Sequence, residues 1–479
     1  MATKVHFLGI AGSGASAAAA IAEAQGFEVT GCDLQPHNEF TTIFKPDQLL
    51  TGHSADHLHY GVKPSHPRGG LGRHPRKVDI LAVTPAIFSL DPNNPELLAA
   101  KEKNIPVITW QEFVGQYLTG GGSTAKDKFV IAVCGTHGKT TTTAMIGQLL
   151  EDAGLDPTVL LGAIIPKWGT NYRIPRQKVH DREYFVIEAD EFNDNFLPTK
   201  PDITVVTNIE MDHPEYFKDF GAVKESFKKF LTQTRQTVVA NMTDPGIAEV
   251  VKVAMKTPIN QKTDDRQLFV NYLDYSRNEL GITLQIPGEF NRLNAKAAMA
   301  VGLLLGIEPE IIKKSLANFT GAGRRFEYIG RYRGAKVYSD FGHHPTEIEK
   351  TMEAVREKFP KERILLVYQP HMFYRTKALF DDFVKILSTA PVDKIFVMDI
   401  YPSREVDTGL VSSRQLVQSI QKQLEPKLRN SEKVVPIVTY TGTKEQTLNQ
   451  LKPEIKKGDI IFFMSAGDTD KLAKELVGS

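Results

Sequence analysis

Lys128 to Thr143 reads KFVIAVCGTHGKTTTT, an apolar run that breaks into glycines, a lysine and four threonines. Phe129 to Val133 has the composition of a short buried strand, Gly135 and Gly138 let the backbone curl, and the threonines open a helix. Curled amides ahead of a helix N-terminus bind phosphate. In this reading Gly135, Thr136 and Gly138 cradle the phosphate oxygens of a nucleotide. Lys139 reaches its β- and γ-phosphates, and the hydroxyl of Thr140 or Thr141 takes Mg²⁺. A Walker loop has four residues between its glycines, whereas this loop has Thr136 and His137 alone. The competing reading is a plain glycine turn, and Gly-Lys-Thr directly after an apolar strand argues against it.

Outward from this loop, a chain of 479 residues is too long for one ordinary core, so two to four domains are expected. Apolar residues make up 41% and charged residues 24%, as in ordinary soluble proteins, and no run approaches the ~18 apolar residues of a membrane span. The net charge of +1 provides no general attraction for nucleic acid, so an anionic substrate must be held by local groups. Two cysteines, Cys32 and Cys134, are too few for a disulfide framework, and a reducing cytoplasm is the expected location. Met1 to Ala11 is expected to be the first strand of a domain rather than a signal peptide.

Lys4 to Ile10 reads as a strand, followed by Gly9, Gly12 and Gly14 and an alanine-rich helix from Ser16 to Gln25. The next strand, Phe27 to Asp33, ends in an acid where a Rossmann unit places its ribose ligand. The glycines run G-x-x-G-x-G, so NAD and a different diphosphate both remain open. Further strands are expected at Val78 to Val83 and Pro106 to Thr109, and a helix at Glu112 to Leu118. Pro64 to Lys77 reads as a basic surface loop, and Gly120 to Ser123 as a linker.

In the second domain two strands run into acid clusters. Tyr184 to Ala189 leads to Asp190 and Glu191, and Asp202 to Ile209 leads to Glu210, Asp212 and His213. Strand C-terminal ends are where open α/β sheets bind ligands, and carboxylates there suit Mg²⁺. A helix expected from Asn291 to Leu305 carries Asn291 and Asn294 on one face. Their amides could read an adenine edge, or Asn291 could cap the helix. FTGAGRRF (Phe319 to Phe326) is a joint, after which strands at Val337 to Asp340, Arg363 to Tyr368, Lys394 to Ile400 and Asp459 to Met464 alternate with helices. That alternation means a parallel sheet. The expected class is α/β with three domains: 1–122 and 320–479 Rossmann-like, and 123–319 a P-loop ATPase-type sheet.

GTHGKTTTT, EADE, TNIEMDH, GEFNRLNA, GRRFE and SDFGHHPTE, in this order, resemble the ATP-dependent Mur ligases of peptidoglycan synthesis along nearly the whole chain. HFLGIAGSG, NPELLAA, HHPTE and YQPHMFYRTKALFDDF are most similar to the branch that joins L-alanine to UDP-N-acetylmuramate. The resemblance implies ATP and Mg²⁺ as cofactors and a muramyl acyl phosphate that the alanine amine attacks. It implies that Lys139, His213, Arg325 and His343 carry the chemistry, with Thr140, Glu188 and His213 holding metal. Asn291, Asn294, Arg325 and Asp340 match residues around the nucleotide. Gly12, Gly14 and Ser16 match the turn that holds the UDP diphosphate, and Asp33, Glu191, His343 and Arg375 are expected to face substrates. A monomer or homodimer acting on small molecules, with neither nucleic acid nor membrane as partner, is expected. Phe341 stands where that branch usually has tyrosine and Met372 where it usually has arginine, which leaves the preferred amino acid open. The alternatives are the ligase that recycles a whole tripeptide onto UDP-N-acetylmuramate and, from another class, an NAD-dependent oxidoreductase. The latter would leave Lys139, Glu188 and His213 without a task.

Overall fold

The computed structural model describes residues 2–60, 76–120, 128–176, 182–256, 270–403, 405–429 and 435–479. All of the expected linker at Gly120 to Ser123 after Gly120, and most of the basic stretch from Pro64 to Lys77, lie outside the described residues.

Three large sheets carry the described residues, beside a two-stranded antiparallel pair, His59–Tyr60 with Arg76–Lys77. The first runs Leu49–Thr51, Glu28–Asp33, Lys4–Leu8, Ile80–Val83, Val107–Thr109, all parallel. Its strand order reverses between Lys4–Leu8 and Ile80–Val83, which places the first glycine turn at a topological switch point. The second sheet has seven strands in the order Thr170–Arg173, Thr158–Ile165, Tyr184–Glu188, Phe129–Cys134, Ile203–Val206, Thr237–Ala240, Asn271–Asp274. Only Thr170–Arg173 at its edge is antiparallel. The third has six: Glu327–Tyr332, Ala335–Asp340, Ile460–Met464, Ile364–Tyr368, Lys394–Met398, Ile437–Gly442, again antiparallel only at the first edge. Neither antiparallel edge strand, Thr170–Arg173 nor Glu327–Tyr332, was expected from sequence. Both mix polar and apolar residues, TNYR and EYIGRY, and lie beside the parallel core that dominates the pattern.

The buried strands read as near-continuous apolar runs, FVIAVC and IIFFM among them, because helices cover both faces. The alanine-rich helix begins at Ser13, three residues before the expected start, and ends at Ala24. Its small side chains let it lie against the edge of the central sheet, and one apolar cluster joins Ala17 to Ala22 with Val130, Ala132 and Phe185. Asn171 Nδ2 in the central sheet donates to Ser13 O at 2.6 Å, so the start of that helix is tied to the second domain. The helix expected at Glu112 to Leu118 is instead a short α-turn, Trp110–Phe113, continued by a π-turn, Val114–Leu118. Thr109 caps it with a full capping box to Glu112. No helix among the described residues is long and apolar enough to cross a membrane.

Candidate active site

Strand Phe129–Cys134 is buried along its length and delivers the chain to Gly135 (φ 131°) and Gly138 (φ 81°). Both positions require glycine. A Cβ on Gly135 would lie 2.1 Å from Thr207 Oγ1, and one on Gly138 would lie 2.6 Å from Asn294 Oδ1. Asn208 sets the loop between them, accepting from His137 N at 2.8 Å and donating to His137 O at 3.0 Å. Helix Lys139–Asp152 follows with no side-chain cap, which leaves its first amides for an anion. Gly138→Ala should therefore cost at least about 1–2 kcal/mol, the strain of left-handed backbone in an L-residue. A urea midpoint equal to wild type would contradict this.

Lys139 Nζ folds back over the loop, donating to Gly135 O at 2.7 Å and pairing with Glu191 at 2.9 Å. Burial works against this ammonium, but Glu191 and Asp190 hold it charged and above the usual lysine range. Thr140 Oγ1 donates to Glu188 Oε1 at 2.8 Å, and Glu188 Oε2 accepts from Gly162 N at 2.7 Å. The donor atoms of Asp190, Glu191 and His213 form a second group within 4.8 Å of one another. Of the expected metal set, Thr140 thus lies beside Glu188, and His213 beside Asp190 and Glu191. His213 sits at φ 54°, its Nδ1 3.4 Å from Glu215 Oε1.

Helix Glu289–Leu304 starts two residues earlier than expected and is entered through Gly288 (φ 99°). Asn291 is therefore inside the helix and does not cap it. Its Nδ2 instead donates to Pro287 O at 2.6 Å. A cavity of about 490 Å³ between the second and third domains is lined by Gly138, Thr140, Thr141, Asn291, Asn294, Arg325 and Asp340. Gly135, Thr136 and Lys139 do not line it. Both Asp340 oxygens are engaged, accepting from Phe326 N at 2.9 Å and Gly342 N at 2.8 Å. Asp340 thereby fixes the joint that carries Arg325, whose guanidinium lies 5.1 Å from the Phe341 ring centre. Arg324 lies 4.8 Å from the same ring, so Phe341 serves as a cation platform without a hydroxyl.

Beyond the phosphate loop, His343 and His371 have ring centres 5.8 Å apart. Burial pushes the His343 imidazole down to about 3 against the opposing charge of Glu347, with Arg375 adding to the downward shift. Its Nδ1 lies 3.1 Å from Phe341 O, which assigns the proton to Nδ1 and leaves Nε2 as an acceptor. Arg375 is buried and committed: its guanidinium meets Asp212 Oδ1 at 3.2 Å, and Nη1 lies 3.4 Å from His371 Nδ1. It bridges the second and third domains instead of standing free.

A second bridge was not expected from sequence. His137, inside the phosphate loop, lies 3.4 Å from Glu347 and 3.6 Å from Glu210, while Thr346 Oγ1 donates to Glu210 at 2.9 Å. All four residues sit in the quoted motifs, but in sequence Glu347 reads as a helix-start residue and His137 as loop filler. Burial opposes the His137 charge, yet the Glu210 and Glu347 carboxylates beside it push it up to about 9 from an ordinary 6.5. A raised folded value means that its stabilisation is complete below about 6.5 and is lost as pH rises through about 9. The difference in melting temperature between wild type and His137→Gln should therefore shrink from pH 6.5 to 9; a constant difference would refute the bridge.

In the first domain Gly9 (φ 88°) makes the turn, and Gly12 precedes the helix without a side-chain cap. Gly14 lies inside the first helical turn, where a Cβ would meet Trp110 at 2.4 Å. The Ser16 hydroxyl is buried and donates to Ser13 O at 2.9 Å. What this turn offers a ligand is backbone amide, together with Asp33, whose Oδ2 accepts from Ala11 N at 3.3 Å.

Three segments match known domains: residues 4–120 the Mur ligase family catalytic domain, 133–302 the Mur ligase middle domain, and 324–467 the Mur ligase glutamate ligase domain. A UDP-N-acetylmuramate–L-alanine ligase of Aquifex aeolicus is 35% identical over 99% of this chain and 97% of its own. The chain belongs to the Mur ligase family. The solved UDP-N-acetylmuramate–alanine ligase of Thermotoga maritima superimposes with a TM-score of 0.72 at 23% identity, covering 99% of this chain and 98% of that one. A murein peptide ligase of Psychrobacter arcticus gives 0.63 at 20% identity, covering 99% and 98%. At those identities the likeness establishes the fold. In this Mur ligase the matched segments correspond to the three sheets, and the cavity lies where the second and third of them face each other.

Proposed function

We propose that this Mur ligase joins L-alanine to UDP-N-acetylmuramate with cleavage of ATP to ADP and phosphate. The observation that carries the reading is the interdomain cavity, lined by the phosphate-loop glycine and threonines together with Asn291, Asn294 and Arg325. The 35% identity to the Aquifex aeolicus alanine ligase over both full lengths supports the choice of substrates.

Residues 1–122 would hold the UDP-sugar, its diphosphate on the uncapped helix start at Ser13 and its ribose near Asp33. Residues 123–319 would hold ATP, with adenine near Asn291 and Asn294. Residues 320–479 would hold the amino acid. Thr140 and Glu188 offer oxygen donors suited to Mg²⁺, with His213 beside Asp190 and Glu191 as a second position. A magnesium ion held there supplies positive charge against the phosphate oxygens and the substrate carboxylate.

In the first step a muramyl carboxylate oxygen attacks the γ-phosphorus and ADP departs; in the second the amine attacks the acyl carbon and phosphate departs. Lys139 and Arg325 offset the charge that builds on the transferred phosphoryl group. Reaching it requires Lys139 to exchange part of its contact with Glu191 for phosphate. His343, neutral at working pH, presents Nε2 to the incoming amine as an orienting acceptor and is too weakly basic to be the final proton sink.

The test is an assay with Mg-ATP, UDP-N-acetylmuramate and either single amino acids or the tripeptide, followed by ADP release and product mass. Alanine-dependent ADP release with the mass of the alanyl adduct is expected. Turnover with the tripeptide alone would replace this reading with the recycling ligase.

A further inference from the structure

Away from the phosphate loop, the first domain gathers a second set of reactive side chains. His6 on strand Lys4–Leu8, Cys32 on Glu28–Asp33, His57 on the short helix Ala55–Leu58 and Glu96 in the first turn of Pro95–Glu102 bring donor atoms within 4.8 Å of one another. His6, Cys32 and Glu96 are wholly buried. Glu96 stands at the centre, with Oε1 3.0 Å from His57 Nδ1 and Oε2 3.2 Å from His6 Nε2. Cys32 Sγ lies 3.1 and 3.3 Å from the two carboxylate oxygens and 3.4 Å from His53 Nδ1.

Hydrogen bonding satisfies Glu96, whose Oε1 also accepts from Ser54 N at 3.1 Å, but leaves His6 unaccounted for. His6 Nδ1 meets Thr30 Oγ1 at 2.8 Å, but its buried Nε2 has no partner with hydrogen-bond geometry, Glu96 being near it without being aligned. The separations fit a coordination shell better. Zinc bonds of about 2.0–2.3 Å to nitrogen, oxygen and sulfur give a tetrahedron with edges of roughly 3.3–3.8 Å, which small side-chain shifts reach from the distances here. Two imidazoles and a thiolate select zinc over magnesium, and one thiolate with one carboxylate balances a dication in a buried place.

We propose that His6 Nε2, Cys32 Sγ, His57 Nδ1 and Glu96 form a zinc site, with His53 as an adjacent donor. Binding releases the Cys32 thiol proton to solvent, and both histidines bind as neutral imidazoles. Four protein ligands leave no open position, so the site is structural. It ties two strands and two helices together directly under the first glycine turn, where Gly9 N and Ile10 N donate to Cys32 O at 2.9 and 3.1 Å. The inference is independent of the ligase reading, since it requires neither ATP nor a sugar nucleotide.

Cobalt is the probe. With Mg²⁺ in excess to occupy the carboxylates near the phosphate loop, the full-length protein should bind one Co²⁺ per chain, with a sulfur-to-cobalt charge-transfer band and tetrahedral d–d absorption. One equivalent of Zn²⁺ should bleach both and raise the melting temperature. Cys32→Ser and His57→Gln should each lose the band, while Cys134→Ser, which removes the other cysteine, should keep it. Far-ultraviolet circular dichroism checks that the variants fold. Wild-type protein without the charge-transfer band, or Cys32→Ser that retains it, would overturn the proposal; if one variant fails to fold, the wild-type spectrum and the other variant still decide.

Discussion

Replacing Lys139 by alanine is expected to lower ATP-dependent phosphate release by on the order of 10²–10³-fold, the usual loss when one preorganised transition-state donor is removed. The side chain is placed for this role by the loop itself: Gly135 and Gly138 turn the backbone so that Nζ lies over Gly135 O. Its pairing with Glu191 adds a second consequence. Glu191 is 2% exposed, and without the ammonium it becomes a buried carboxylate left with Asp190 and His213 as its charged neighbours. Burial already raises its proton affinity, so it takes up a proton and the fold survives with a lower melting temperature. Adding Glu191→Gln should restore stability but not turnover. Phosphate release at the wild-type rate in Lys139→Ala would sink the proposed assignment of the loop.

Arg375→Met has the second large effect, and it separates two roles for one residue. The sequence resemblance casts Arg375 as a substrate contact, whereas the structure commits it to Asp212, with 3% and 5% of the two residues exposed. Removing one partner of a buried pair costs about 3–5 kcal/mol, because the other charge stays unpaired in a place of low polarity. The pair bridges two domains, so part of that cost can be relieved by their parting, which denaturant midpoint and small-angle scattering would both register. Asp212→Asn combined with Arg375→Met should recover most of the stability. If Arg375 instead clamps the amino-acid carboxylate, KM for alanine rises while the unfolding midpoint stays put.

Most of the central sheet was legible because parallel strands covered on both faces must be apolar throughout. Runs such as Phe129 to Val133 can therefore be read without knowing their neighbours. Helix starts were read two or three residues late even beside a glycine, as at Ser13 after Gly12 and Glu289 after Gly288. The helix at Gly288 was placed late because Asn291 looks like a cap when its partner, the carbonyl of Pro287, is unseen. The antiparallel edge strands Thr170–Arg173 and Glu327–Tyr332 escaped because TNYR and EYIGRY mix polar and apolar residues and so carry a weak strand pattern.

By itself, the amino-acid sequence determined the phosphate loop, the family, the strand-end acids and the order of the three α/β units. These depend on local residue types at short spacing, and local sterics are carried by the chain itself. The tertiary structure alone decided which of those groups work together. It set Thr140 against Glu188 and His213 beside Asp190 and Glu191, brought His137 against Glu210 and Glu347, set Arg375 against Asp212, and gathered His6, Cys32, His57 and Glu96 from residues up to 90 positions apart. Pairings of that kind are set by how sheets and domains pack, and packing is a property of surfaces that no single stretch of chain contains.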